Sequence, residues 1–211
     1  MAAVRLRQIE PEYEGRVRVR TRAFPLELFG RPAAPRGLLT EEWWVAAVQE
    51  PAAKFSAFTH DDWPTTTLPA FMAVHAVEKT DAHLAHLLDF RIREAFFAES
   101  RNIGKPDVIL DLVREAGGDV PLVERALRDD SVREAVRAEW DRGRKEFGVR
   151  GTPTLMLEDK TRLHLPIAEP RAKDGHIISI GAITCIGDAC REATRQLFEQ
   201  ALHPRPAADS P

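Results

Sequence analysis

Cysteine is scarce in this sequence, with two among 211 residues, Cys185 and Cys190. So few exclude a disulfide-built scaffold and any four-cysteine zinc module. Long apolar runs are missing too. The longest, Leu68 to Val77, is about half of the roughly 20 residues that span a bilayer, and it contains His75. The first residues, Met1 to Glu10, hold no apolar stretch of signal-peptide length and carry Arg5 and Arg7. The expectation is a soluble, cytoplasmic protein with no membrane partner. Nor is there an excess of one charge: Lys+Arg of 30 against Asp+Glu of 33 leaves a net −3. That balance gives no general attraction for nucleic acid.

What is present is ordinary for a globular chain: 44% apolar and 30% charged residues, enough apolar surface to exclude wholesale disorder. The length suits one large domain, or a core domain with an inserted subdomain. Arg16 to Ala23 alternates strictly, with Val17, Val19, Thr21 and Ala23 on one face and four arginines on the other. Period two with β-branched residues predicts a strand. Its charged face reads as a solvated surface that discourages edge pairing, and Pro25 ends it.

A helical block follows. Thr40 is placed as the cap of a helix running to Pro51. Apolar residues then recur at helical spacing over Leu68–Ala76, Leu84–Phe96, Asp107–Ala116, Pro121–Leu127 and Ser131–Phe147. Val132, Val136, Trp140 and Arg144 share one stripe of the last, and Gly148 suits a left-handed cap. Strands are predicted at Thr154–Glu158 and His176–Ile180, then a helix opening at Gly187-Asp188 and a disordered tail over 203–211.

The window Phe147-Gly-Val-Arg-Gly-Thr-Pro-Thr-Leu155 is the most informative. With the order strand, helical block, strand, strand, helix, it resembles the cis-proline loop of DsbA-like oxidoreductases, in particular their cytoplasmic FrnE-type branch. The likeness extends to Phe24-Pro-Leu26, to the segment from Phe96-Phe97 to Asn102-Ile103, and to the C-terminal strand–helix pair. It implies an α/β, thioredoxin-like fold with a large α-helical insertion. Residues 1–30 and 148–202 would form the thioredoxin-like domain and 31–147 the helical subdomain. The implied activity is thiol–disulfide exchange with a thiol- or disulfide-bearing protein or a small thiol. Gly151, Thr152 and Pro153 would bind the partner, because a cis Thr152–Pro153 bond frees the backbone of Thr152 to pair with an added strand. No bound cofactor is implied beyond glutathione as that small thiol, and no metal. A second copy of the chain is a further candidate partner.

The chain departs from that family pattern in one respect. The family's Cys-x-x-Cys opens a helix ahead of the strand matching Val17 to Phe24, and the residues before Val17 contain no cysteine. Val4, Leu6, Arg7, Ile9 and Tyr13 read as the tail of that helix, and the first strand is expected to be missing. The expectations, in order, are a start upstream of Met1, a rearranged sheet, or a strand supplied by a partner chain. Related kappa-type glutathione transferases and 2-hydroxychromene-2-carboxylate isomerases place a serine nucleophile in the same missing segment.

Cys185-Ile-Gly-Asp-Ala-Cys190 leaves two readings open. In one, Cys185 and Cys190 are an auxiliary catalytic redox pair, with Cys190 activated by the first turn of the last helix. In the other they are inert thiols. His83, His86 and Asp89, and His60 with Asp61 and Asp62, match no strong metal signature and read as solvated surface. Trp63 to Pro69 sits where the family lines its substrate cleft, with Thr67 as a helix cap. A non-catalytic binding module and a glutathione-dependent transferase or isomerase are the rival functions.

Overall fold

Residues 1–30 and 36–203 are described by a computed structural model. The expected disorder of the tail falls on 204–211, outside the described residues. By internal contact the chain divides into two units.

The first unit draws on residues 1–19, 35–53 and 153–211. It opens with helix α1 (Ala2–Ile9) and a 3-10 turn, Glu10–Tyr13. Helix α2 (Arg36–Gln49) follows. Its start corrects the expected cap: Thr40 lies inside the helix, where its hydroxyl donates to the Arg36 carbonyl at 2.9 Å. Two short antiparallel pairs come next, β1 (Leu155–Met156) with β2 (Arg162–Leu163), and β3 (Pro170–Lys173) with β4 (His176–Ile180). Asp174 and Gly175 between β3 and β4 both have positive φ, 53° and 81°. That conformation suits a two-residue hairpin whose turn twists with its strands. Helix α8 (Asp188–Leu202) closes the unit. Ile9 and Tyr13 of the N-terminal segment pack on Phe198 of α8, with Leu6, Val17, Val19 and Leu202 around them.

The second unit, residues 20–34 and 54–152, carries the helical block. Its helices are α3 (Leu68–Glu78), α4 (Ala82–Phe97), α5 (Pro106–Glu115), α6 (Val120–Arg128) and α7 (Asp130–Phe147). The aspartates Asp81, Asp119 and Asp129 cap α4, α6 and α7, each accepting from a backbone N–H two or three residues on. Gly148 ends α7 at φ 61°, the left-handed cap that the sequence pattern predicts. Leu88, Ile109, Leu112, Val113 and Val123 form a sealed core between α3, α4, α5 and α6. The stripe Val132, Val136 and Trp140 is buried, and the Arg144 guanidinium lies 4.6 Å from the Trp140 ring.

The segment Arg16 to Ala23 departs from its expected strand. Its side chains alternate as anticipated, Val17, Val19, Thr21 and Ala23 turned inward and the arginines outward, yet it joins no ladder among the described residues. Period two reports an extended backbone with one buried face; pairing also needs a neighbour, and here side-chain bonds stand in. Arg20 donates to Glu78 at 3.0 Å and Arg22 to Glu139 at 3.3 Å. The run Thr154–Glu158 likewise pairs only through Leu155 and Met156, with β2, so the strands form two separate pairs.

Candidate functional site

Cys185 and Cys190 are brought together in a disulfide, so neither sulfur titrates as a thiol in this state. Gly187 lies between them at φ 57° and opens α8, which makes Cys190 the third residue of the helix. Cys190 is fully buried, and Thr194 donates to its carbonyl at 2.8 Å. Cys185 is only partly buried. Its Sγ lies 4.0 Å from the carbonyl oxygen of Pro166.

That carbonyl belongs to a buried polar cluster the sequence reading missed. Arg5 is completely buried; its Nε pairs with Glu50 at 3.1 Å, one terminal nitrogen donates to Gln49 O and the other to Pro166 O, each at 2.8 Å. Gln49 closes the cluster: its side chain donates to Ala168 O at 3.2 Å and accepts from Ala168 N at 2.7 Å. By composition alone Arg5 is only a charge within an apolar stretch. Its spacing holds the clue, since Arg5 and Ile9 stand four residues apart on the face that α1 turns inward, and Tyr13 follows at the same interval in the 3-10 turn.

Nearby electrostatics fix the ends of this unit. Glu12 is bound by Arg195 at 2.8 and 3.0 Å, which holds its carboxyl below the usual range. The Tyr13 hydroxyl donates to Glu199, and that bond raises its pKa. Glu41 accepts from Ile177 N at 2.7 Å and meets His176 at 2.9 Å, contacts that lower its pKa and tie β4 to α2.

Gly151, Thr152 and Pro153 lie in the loop between α7 and β1. Gly151 is partly buried, while Thr152 and Pro153 are exposed. In the helical unit Trp63 meets Phe58 and Phe96 edge to face, with ring centroids 4.8 and 5.4 Å apart, within an aromatic group that also includes Phe97. Thr67 precedes α3 as expected but does not cap it with its own side chain. Its hydroxyl and N–H both donate to Glu27, and Thr66 supplies the oxygen that accepts from Leu68 N. Asp62 accepts from Asn102 and Lys105, which lower its pKa, and Asp89 is paired with Arg93. Among the described residues no group of three or more His, Cys, Asp or Glu is placed to hold a metal ion. No helix among them is long and apolar enough to cross a membrane.

The architecture and the loop before β1 define an α/β thioredoxin-like fold, rich in helix and with few short strands. The sequence matches the DSBA-like thioredoxin domain over residues 1–168, and the chain belongs to that family. Thiol–disulfide oxidoreduction is the activity associated with it. Cys185 and Cys190 lie beyond the matched residues. A solved structure from Nitrosomonas europaea, a candidate protein disulfide isomerase, superposes with a TM-score of 0.62 at 17% identity, over 97% of this chain and 91% of that one. At that identity the likeness is one of fold. No curated protein matches the sequence.

Proposed function

We propose that this chain carries out thiol–disulfide exchange through Cys185 and Cys190, and that the loop Gly151, Thr152 and Pro153 binds an extended partner segment in its own right. The observation that carries the reading is the joining of the only two cysteines in the sequence, one sulfur partly open and the other on the first turn of a helix.

The chemistry follows from that asymmetry. A partner thiolate attacks Cys185, the more accessible sulfur; the Cys185–Cys190 bond breaks, and its electron pair leaves on Cys190. The positive end of the α8 dipole favours that negative charge, and a lower-pKa thiol leaves faster. A second partner thiolate then attacks the partner's sulfur in the mixed disulfide and releases Cys185 as thiolate. Two partner thiols become one disulfide, the protein disulfide becomes a dithiol, and the two protons released by the partners end on the cysteines. Run backward, the same steps reduce a partner disulfide.

Thr152 and Pro153 are exposed, which supports backbone pairing of Thr152 with the partner as an added strand, Pro153 being cis. In the cytoplasm the glutathione pool supplies the small thiol and keeps the pair cycling.

Turnover of insulin disulfides with glutathione as reductant tests this. The wild-type chain accelerates it, Cys185→Ser/Cys190→Ser falls to the uncatalysed rate, and Pro153→Thr slows the protein substrate. Equal rates for the wild type and the double serine variant defeat the proposal. A second reading rests on the complete burial of Cys190: the disulfide is a staple, and the exposed loop binds partners without chemistry. It predicts a disulfide that stays closed in glutathione buffer.

A further inference from the structure

We infer that the buried Arg5 is a positioning residue that sets the thiolate character of Cys185, with Glu50 as its opposing control. The inference rests on Cys185–Cys190 being the working pair. Arg5 and Cys185 meet the same atom: the guanidinium donates to Pro166 O at 2.8 Å, and Cys185 Sγ sits 4.0 Å from that oxygen. Sulfur and cation can therefore be no farther apart than those two contacts laid end to end. Arg5 is wholly buried and Glu50 nearly so, at 0% and 3% exposure, where charges are weakly screened.

Two effects act on a thiolate at Cys185. A bare carbonyl oxygen at this distance would repel it, and the Arg5 N–H satisfies that oxygen. The guanidinium also brings a positive charge, which lowers a thiol's pKa. Glu50, bound to the opposite edge of the guanidinium at 3.1 Å, offsets part of that charge. The other charged or titratable groups on the segments around the sulfur are arranged differently. Asp188 and Arg191 of α8 pair with each other at 3.8 Å, and His164 and Glu169 are exposed on either side of Pro166. Arg5 is thus the cation that the fold brings to the carbonyl beside Cys185. It favours Cys185 as the attacking sulfur of the reduced protein.

The test uses the full chain with Cys190→Ser, which leaves Cys185 as the sole thiol, and reads the pH at which alkylation by iodoacetamide is half-maximal. Arg5→Met raises that midpoint by about one unit, a roughly tenfold loss of thiolate at any pH below it. Glu50→Gln lowers it by a similar amount, and Arg5→Lys, which keeps the charge, stays nearest the parent. Both Arg5→Met and Glu50→Gln break the same ion pair and destabilise the fold. A purely structural role would move their midpoints together or not at all, and either result overturns the inference. If Arg5→Met does not fold, Glu50→Gln decides: a lower midpoint supports the inference, and an unchanged or higher one overturns it. An inert disulfide in the insulin assay defeats the proposed function but leaves this measurement intact, so the two failures are distinguishable.

Discussion

At Gln49 one amide side chain does the work of a neighbouring strand, donating to and accepting from the two backbone groups of buried Ala168. Buried peptide groups left without partners cost about 1–3 kcal/mol each. Gln49→Leu fills similar volume but strands both groups, so its unfolding free energy should fall by at least about 2 kcal/mol, measured by urea titration. Gly104 is constrained by space. A Cβ there would lie 2.6 Å from the Thr66 carbonyl oxygen and 3.1 Å from the Asn102 side-chain oxygen. Gly104→Ala must push the Thr66 backbone aside at a cost of about 1–3 kcal/mol, seen as a lower melting midpoint. Such partners are poorly legible in a sequence. Gln49 and Ala168, or Glu27 and Thr67, meet only through the tertiary fold, and no local pattern names the match. Arg5 is the exception, since the spacing to Ile9 and Tyr13 already turns it inward.

Elements with a strong period are read well and those defined by pairing are not. Helices α4 to α7 follow their apolar spacing closely, and aspartates cap α4, α6 and α7. The segment Arg16 to Ala23 has the period of a strand without its ladder, because alternation records which face is buried and says nothing of a neighbour. Strand β3 escapes notice for the converse reason: Pro-Arg-Ala-Lys carries no apolar signal, and only the Asp174-Gly175 turn announces its hairpin. Helix α3 offers a test at this scale. His75 has a buried Nε2 with no hydrogen-bond partner among the described residues. Burial chiefly lowers its pKa, with Lys79 and Arg22 acting the same way and Glu139 and Glu78 opposing. A group with a depressed folded pKa takes up its proton first in the unfolded chain. Its neutral form therefore supports the fold fully above the ordinary value of 6.5, and stability is lost as pH falls from there toward the folded midpoint. His75→Gln should show a flatter stability profile across that window than the wild type, in denaturant titrations at a series of pH values. Parallel profiles would leave His75 without a part in acid sensitivity.

For the molecule as a whole, the Gly-Val-x-Gly-Thr-Pro-Thr window and the order of elements made the thioredoxin class legible, and the family match over 1–168 agrees. The two units could not be read the same way, because the chain passes between them four times and each is assembled from distant segments. That assembly bears on what the disulfide stabilises. Its closed loop is short, so the chain-entropy account assigns it about 2 kcal/mol, or roughly 4–8 °C in a melting midpoint for a chain of this size. The stabilisation should be local, because α1, the Arg5 cluster and α8 all lie in the unit that holds both cysteines. The helical unit keeps its own sealed core around Ile109, Leu112, Val113 and Val123. Hydrogen exchange read by mass spectrometry, with and without dithiothreitol, can resolve this. Reduction should speed exchange in α1, the 164–169 segment and α8 while α4 to α6 keep their protection. Cys185→Ser/Cys190→Ser should exchange like the reduced wild type and ignore the reductant. Equal acceleration in both units would mean that the disulfide stabilises the chain as one cooperative whole.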